Sequence, residues 1–371
     1  MLIDKRYMTY FDWVSFLIML TLSTIGLLFV FSATYRPDCP LSLFLKKQFF
    51  GIASGFIIYF ACSLLDFRML ERWGYFLYFA TIILLIITII KGSIGMGAQR
   101  WLNLGFVKFQ PSELTKLLFP AFFSFYLCTE KESRVLSISD FYPVLTILAM
   151  SALLVRKQPD LGTALILLFS GFILCWIAGM HKKFFAYTLL ICSISAPILW
   201  HQLRPYQKKR IEVFLGGGDS KKERYQIEQS IIAIGSGGLT GKGFLQGTQN
   251  KLMFLPESRT DFIFAVLCEE IGFAGAFFLI SLYILLFLRL FYVISSMQNF
   301  YAQIFASGLI IHIVVSTIIN ICMVTGLLPI VGIPLPFMSY GISHIWITFA
   351  SMGCYNSIAM RRFRLHMSDR R

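Results

Sequence analysis

The sequence predicts an all-α, polytopic membrane fold with about ten transmembrane helices. Charged residues make up only 14% of the 371 residues, whereas soluble domains carry roughly 25%. Apolar runs of near-spanning length recur along the whole chain, and a span needs about 20 residues to cross roughly 30 Å of hydrocarbon. The runs show no sustained apolar/polar alternation, which favours helices over barrel strands, the other structure that satisfies its backbone in lipid.

Ten runs fit this description, and all are rich in Phe, Ile and Leu. Their approximate ranges are 12–32, 48–65, 73–91, 113–128, 141–155, 161–179, 184–200, 262–288, 302–325 and 341–360. The first run has full span length and lacks a small-residue cleavage pattern, so we expect an anchor rather than a cleaved signal. We expect a single membrane domain over residues 1–371, with a large extracytoplasmic loop at about 201–260 between spans seven and eight.

The basic residues indicate an orientation. Lys and Arg outnumber Asp and Glu 33 to 19, an excess that would suggest nucleic acid in a soluble protein. With both termini in the cytoplasm, fourteen basic residues fall on cytoplasmic segments, nine on short outer segments and ten in the long loop. Because long loops carry little weight in the positive-inside rule, the basic tail RRFRLHMSDRR favours a cytoplasmic C-terminus. The long loop then faces outward, and no nucleic-acid partner is expected.

The cysteines and histidines predict no redox or metal centre. Seven of the eight cysteines lie within or at the ends of spans, and only Cys39 falls in an outer loop. This pattern offers neither a disulfide framework nor a Cys-x-x-Cys metal site. His312 and His344 are isolated among apolar residues, so we interpret both as core histidines with satisfied hydrogen bonds.

Polar residues concentrate in four outward stretches, which we expect to converge at one membrane face. The stretches are GAQRWLNLGFVKFQPSELTK from Gly97, RKQPDLGTAL from Arg156, the loop from His201 to Thr260, and GLLPIVGIPLPFMSYGIS from Gly326. The cytoplasmic connections are short and show no such concentration of polar residues. Function is therefore predicted on the outer side.

The first two stretches contain candidate ion-pair and cap residues. Arg100 and Trp101 lie in a loop that leads into span four, and Trp suits the membrane interface. Glu113 and Lys116 are three residues apart, so they share a helix face and can form an ion pair; a structural and a functional role remain equally open. Asp160 follows a proline and is predicted to cap span six.

The third stretch contains a glycine-rich segment with Lys242. The segment IAIGSGGLTGKGFLQGTQ begins at Ile232, and its spacing excludes a P-loop because Ser236 and Gly243 stand where Gly and Ser/Thr are needed. Glycine-rich backbone beside a lysine can still offer N–H groups to a diphosphate. A flexible loop is the alternative.

Asp261 gives the sharpest local signal, at the outer mouth of span eight. A carboxyl group that borders hydrocarbon is partly desolvated, which raises its pKa from about 3.9 towards neutrality, as a general base requires. A helix cap is the alternative. Glu269 and Glu270 lie two turns deeper, where a functional role is the default hypothesis for an ionisable residue. A packing role is the alternative.

These stretches together resemble the SEDS family (shape, elongation, division and sporulation proteins), and most closely its RodA branch. The motifs are GAQRW, FQPSE, QPDLGT, IAIGSGGLTGKG, GTQ, LPE, TDFIFAVLCEE and GIPLPFMSYG, spread over about residues 90–345. The resemblance implies a glycosyltransferase in the bacterial inner membrane that polymerises lipid II into peptidoglycan strands during cell elongation. It also implies a class B penicillin-binding protein, a transpeptidase, as partner.

The resemblance assigns the catalytic role to Asp261. It places Arg100, Trp101, Glu113, Lys116, Asp160 and Lys242 at motif positions that would line or support the same outward cavity and contact substrate. Arginine and lysine suit a diphosphate. No dedicated metal cage is visible, so a divalent cation, Mg²⁺ or Mn²⁺, would rest on substrate phosphates and one carboxylate.

Three positions in two segments depart from the family pattern. SYGISH stands where the family usually reads SYGGSS, which puts Ile342 and His344 in place of Gly and Ser, and Ile231 stands where relatives are often polar or basic.

Competing hypotheses are a flippase for lipid-linked precursors, a division polymerase of the FtsW type, and a non-catalytic scaffold for the penicillin-binding partner.

Overall fold

The computed structural model describes residues 10–37, 41–95, 98–103, 108–130, 138–202, 205–214, 221–252 and 254–362. The helices, in chain order, are α1 (Trp13–Thr34), α2 (Leu43–Leu64), α3 (Phe67–Lys91), α4 (Pro111–Glu130), α5 (Ile138–Lys157), α6 (Leu161–Ile177), α7 (Lys182–Gln202), α8 (Pro205–Phe214), α9 (Lys221–Ser236), α10 (Thr248–Lys251), α11 (Ile263–Ser295), α12 (Phe300–Val324) and α13 (Ile342–Arg361). Helices α1 to α7 and α11 to α13 coincide with the ten predicted spans. Cys39 and the basic tail after Arg362 lie outside the described residues.

Length and hydropathy alone identify six of these helices as able to cross a membrane, namely α1, α2, α3, α5, α11 and α12, with α6 as a shorter apolar helix. Helices α4 and α13 are less apolar because they are interior helices: α13 is buried from Ser343 to Met360, except for Trp346. Large apolar side chains are exposed along α1, α2 and α3, as expected of a lipid-facing surface. The polytopic all-α prediction is confirmed.

A small sheet interrupts the segment that was predicted to be a loop between spans three and four. Strands β1 (Ser93–Gly95), β2 (Ala98–Asn103) and β3 (Lys108–Phe109) form a three-stranded antiparallel sheet in the order β1-β2-β3. Leu102 pairs with Phe109 across it. Such short strands carry too few residues for a periodic signal, so the hydropathy pattern did not reveal them.

The long loop is largely structured, and its glycine-rich part completes a broken transmembrane helix. Helix α11 is kinked at Gly272, where φ is 74° and ψ is −162°. The kink frees backbone N–H groups, and the glycine-rich segment accepts them: Phe273 N donates to Gly238 O at 2.8 Å and Ala274 N to Leu239 O at 3.1 Å. The alternative of a flexible loop is therefore wrong for this segment.

Close helix contacts depend on small residues, as is usual in membranes. Helices α3 and α4 meet at Gly74, where an added Cβ would lie 2.5 Å from Ala121 Cβ. At the end of the bundle that carries the chain termini, Arg289 Nε contacts Asp12 Oδ1 at 2.9 Å and ties α11 to the start of α1. The other end, which we call the loop face, carries β1 to β3 and residues 156–160, 205–214, 254–262 and 326–341.

Candidate active site at the loop face

The site centres on Asp261, in the turns that lead into α11. Phe262 occupies the N-cap position of α11, without a side-chain cap hydrogen bond, so the alternative that Asp261 caps this helix is wrong. Within the described part of the chain, no donor is hydrogen-bonded to the Asp261 carboxylate. The side chain is partly buried and keeps some contact with solvent.

Burial and three charged groups set the electrostatics of Asp261. Burial and, to a smaller extent, the nearby Glu257 carboxylate raise the pKa of Asp261 to about 6, against the lowering influence of Arg100 and Arg210. Because burial is the largest influence, the carboxyl group has a pKa much closer to neutrality than an exposed aspartate. This is the property that the sequence predicted for a general base at this position.

The last part of the loop face, residues 326–341, holds the backbone of the Asp261 segment. Asn320 Nδ2 donates to Asp261 O at 2.9 Å and to Ile333 O at 2.6 Å. Ser339 Oγ donates to Thr260 O at 2.6 Å. A Cβ added at Gly332 would lie 3.4 Å from Asp261 Oδ2, so the backbone of Gly332 borders the carboxylate closely.

Arg100 connects the small sheet to the start of α6. It extends from β2, its Nη1 lies 3.7 Å from Asp160 Oδ1, and its guanidinium lies 5.9 Å from the Trp101 ring centroid. Asp160 caps α6 as predicted, because Oδ1 accepts from Thr163 N at 3.2 Å. Its Oδ2 accepts from Gln110 Nε2 at 2.6 Å, so Asp160 also fastens α4 to α6.

Glu113 and Lys116 form the predicted ion pair, at 2.7 Å between Oε1 and Nζ. Both are buried, with 5% and 2% of their surface exposed, so in this arrangement they support the loop face from inside. His344 is a core histidine as predicted, but its hydrogen bonds are satisfied only in part: Nδ1 lies 3.3 Å from Glu113 Oε2, whereas Nε2 has no partner among the described residues. His312 is not satisfied either: neither ring nitrogen has a partner among the described residues.

Lys242 lies at the kink of α11, away from Asp261. Its Nζ donates to Glu269 Oε1 and to Thr248 Oγ1, each at 2.7 Å, and its backbone N donates to Glu269 O at 3.0 Å. The rise from Ile263 to Glu269 alone is about 9 Å at 1.5 Å per residue. Contact between Lys242 and a diphosphate stays a prediction, and it would require this pair to open.

Glu269 and Glu270 have packing roles, which the sequence analysis kept as the alternative to a functional role. Glu269 Oε1 also accepts from the backbone N–H groups of Thr248 and Gln249, at 2.7 and 3.0 Å. Glu270 accepts a hydrogen bond from Ser32 of α1. The two glutamates therefore hold α1, α10 and the glycine-rich segment around the kink.

The sequence analysis missed three residues at the site. Arg210 of α8 donates to Ile330 O at 3.0 Å and acts on the Asp261 charge; it was one basic residue among many in the long loop. Glu257 belongs to the LPE motif, but no role was predicted for it. Asn320 is buried in α12, and an intramembrane amide is a recognisable signal for an interhelical hydrogen bond. Arg100 pairs with Asp160, Arg210 bonds to Ile330 O, and both arginines act on the Asp261 charge. These interactions confirm that the outward stretches converge.

Comparisons with known proteins agree with this architecture. The chain matches the FTSW_RODA_SPOVE family, described as cell cycle protein, over residues 12–363. It is 39% identical to "Peptidoglycan glycosyltransferase MrdB" of Escherichia coli K12 over 326 residues, which cover 87% of this chain and 88% of that protein.

Two solved structures share the fold. One comes from work on "Structural coordination of polymerization and crosslinking by a peptidoglycan synthase complex", with a TM-score of 0.81 and 26% identity, covering 95% of this chain and 99% of the other. The rod shape determining protein RodA of Thermus thermophilus has a TM-score of 0.71 and 26% identity, covering 95% and 98%. The chain therefore belongs to the FtsW/RodA/SpoVE (SEDS) family of multi-pass membrane proteins.

Proposed function

We propose that this chain polymerises lipid II into glycan strands with Asp261 as the general base. It is a peptidoglycan glycosyltransferase of the SEDS family with a role in cell elongation, as its MrdB and RodA relatives indicate. The observation that carries the role of Asp261 is its carboxyl group, desolvated to a pKa of about 6 and lying near two arginines at the loop face.

The reaction needs one base and a stabilised leaving group. Asp261 takes the proton from the acceptor's sugar hydroxyl while the hydroxyl oxygen forms a bond to the anomeric carbon of the growing strand. The bond from that carbon to the diphosphate breaks on the opposite side, and its electron pair leaves with the undecaprenyl diphosphate. The product is an inverted β-1,4 link, and general base catalysis supplies about 10² to 10⁴-fold of the rate.

Arginine side chains at the loop face suit the departing diphosphate. The leaving group already carries negative charge, so cations placed beside it stabilise its departure without a protonating acid. Arg100 is about one quarter exposed, at 24%, and its pairing with Asp160 is long, at 3.7 Å. Arg100 and Arg210 are therefore the proposed diphosphate contacts, with Trp101 beside Arg100 at the rim.

A divalent cation is compatible with this site but requires no protein cage. Among the described residues, no group of three or more His, Cys, Asp or Glu side chains is placed to hold a metal ion. Mg²⁺ or Mn²⁺ would therefore rest on the diphosphate oxygens. When bound, such an ion neutralises charge on the leaving group.

The proposed orientation places the loop face on the outer side of the inner membrane and both termini in the cytoplasm. With the long loop set aside, fourteen basic residues on the termini side against nine on the short outer segments support it. The proposed partner is a class B penicillin-binding protein, because the chain shares its fold with a component of a peptidoglycan synthase complex in which polymerisation and crosslinking are coordinated.

The kink in α11 is the observation that favours a flippase, since transporters build their sites at broken helices. Here the freed backbone groups at Gly272 are bonded to the glycine-rich segment, and the arginines lie at one end of the bundle. These features favour chemistry on a delivered substrate.

One experiment separates the hypotheses. Purified protein and its penicillin-binding partner are mixed with lipid II in detergent, and glycan strands are compared between the parent and Asp261→Ala. We expect strands only from the parent. A flippase makes no polymer because detergent removes the compartments, and a scaffold makes none in either sample. Parental strand synthesis by folded, partner-bound Asp261→Ala would overturn the base assignment.

A further inference from the structure

His344 is joined to a buried ion pair that the reaction proposed above does not use. Glu113 lies in the first turn of α4, and both of its oxygens are occupied: Oε1 by Lys116 Nζ at 2.7 Å and Oε2 by His344 Nδ1 at 3.3 Å. His344 is 6% exposed. Because a carboxylate only accepts hydrogen bonds, Nδ1 carries the proton and donates it.

The contact between Glu113 and His344 fixes the beginning of α13. His344 lies in the first turn of that helix, where Ile345 N donates to Gly341 O at 2.9 Å. Glu113 is 231 residues away in the sequence, on the first turn of α4. The carboxylate therefore ties the loop-face ends of two interior helices together.

The residues just before α13 are in turn bonded to the residues just before Asp261. Tyr340 N donates to Arg259 O at 3.0 Å, and Ser339 Oγ donates to Thr260 O at 2.6 Å. Gln48 of α2 donates to Ser339 O at 3.3 Å. A shift of the first turn of α13 would thus move the backbone that presents the Asp261 carboxylate.

We infer that His344 is a positioning residue for the reaction: through Glu113 it fixes the start of α13, and through Ser339 and Tyr340 it keeps Asp261 in place. The inference rests on the proposed function for its kinetic consequence. His344 stands where the family usually has serine, whose hydroxyl oxygen sits on Cβ, one bond short of the position of Nδ1. The histidine reaches Glu113 directly and donates to it.

The test uses two isosteric replacements. Asn carries an amide nitrogen on Cγ, at the position of Nδ1, so His344→Asn keeps the donor. Leucine has the same shape as asparagine but no donor, so His344→Leu leaves Glu113 Oε2 unpaired. His181→Leu serves as the control for a histidine-to-leucine change, because His181 is exposed in the connection between α6 and α7.

We expect His344→Leu to lower kcat for lipid II polymerisation about tenfold with little change in KM, while His344→Asn and His181→Leu stay within about twofold of the parent. In a Glu113→Gln background, the difference between Leu and Asn at position 344 should largely disappear. Equal rates for Leu and Asn would overturn the inference. Equal losses for both, with a lower melting temperature, would also overturn it, since they indicate a packing role.

A second readout does not depend on catalysis. Amide hydrogen exchange at Tyr340 and in the Arg259–Phe262 segment should be faster in His344→Leu than in the parent, and unchanged in His344→Asn. Unchanged exchange in the Leu variant would refute the connection from Glu113 to Asp261. If the parent with its partner makes no strands, the proposed function fails, while the exchange measurement still decides the connection.

Discussion

Asp261 and Glu269 stand at the two ends of the first two turns of α11, and the protein uses these two carboxylates differently. Glu269 Oε1 accepts hydrogen bonds from Lys242, from the Thr248 hydroxyl and from two backbone N–H groups. No donor in the described part of the chain is hydrogen-bonded to the Asp261 carboxylate, whose pKa is raised to about 6 by burial.

The difference shows which kind of carboxylate is available for chemistry. A carboxylate with an oxygen that accepts hydrogen bonds from several fixed donors, as Glu269 Oε1 does, stabilises structure. One that is desolvated without such donors has a raised pKa and free lone pairs, so it can take a proton from a substrate. Asp261 lies just before α11 and Glu269 lies within it. The two carboxylates differ in their hydrogen-bond partners, and this difference gives them different roles.

The largest effect is expected from Asp261→Asn, which keeps the shape and removes the base. We expect the polymerisation rate to fall about 10² to 10⁴-fold, with the apparent melting temperature in detergent unchanged within a few degrees. Lipid II polymerisation with the partner measures the rate. Asp66→Asn is the matched control, because asparagine caps a helix as well as the aspartate that caps α3. A rate near that of the parent would remove the distinction between the two carboxylates.

Glu269→Gln should show the opposite pattern, in which stability falls first. Breaking a buried ion pair costs about 3–5 kcal/mol, and because Lys242 is 27% exposed we expect about 2 kcal/mol in the free energy of unfolding. Denaturant unfolding in detergent measures it. Glu269→Gln combined with Lys242→Met should lose less than the sum of the single losses. An additive result would mean that the pair does not hold the kink.

The fold was predictable where local patterns suffice. Apolar runs read from the sequence coincide with ten helices of the fold, although length and hydropathy alone qualify only six of them. The outward stretches were recognised from their polar and glycine content. The small sheet and the kink at Gly272 were not predicted. The strands are only two to six residues long. The kink depends on a glycine-rich segment that accepts its free N–H groups from 35 residues earlier in the chain.

The contacts at the site show the same distinction between local and distant residues. The cap at Asp160 and the ion pair of Glu113 with Lys116 involve residues within three positions of each other, so spacing alone predicted them. The contacts of His344 with Glu113 and of Asn320 with Asp261 O join residues 231 and 59 positions apart. A single sequence carries no local pattern for such pairs, and tertiary packing brings them together.

Gly332→Ala tests whether the surroundings of Asp261 matter as much as its charge. Gly332 has φ of 79°, and an added Cβ would lie 3.4 Å from Asp261 Oδ2. Gly179, at the opposite end of the bundle, has φ of 92° and nothing within 4 Å of an added Cβ. Both alanine variants should lose about 1–2 kcal/mol of stability to backbone strain, measured by unfolding in detergent. Only Gly332→Ala should also lose polymerisation, about tenfold; equal rates in the two variants would contradict a tightly bordered carboxylate.

The smallest expected effect is a shift in the pH dependence of the reaction, and it tests the electrostatic half of the comparison. The base must be ionised, and the pKa of Asp261 is raised to about 6 in the free protein, so kcat/KM should fall as the pH drops through about 6 and level off above it. Glu257 raises this pKa by repulsion. Glu257→Gln should therefore move the inflection to lower pH and leave the rate on the plateau nearly unchanged.

Steady-state polymerisation rates between pH 4.5 and 8 (about one and a half to two units on either side of the inflection) measure the shift, with Asp66→Asn as the unshifted control. An inflection that moves upward, or coincides with the parent, would mean that the Glu257 charge does not act on the base that the reaction uses.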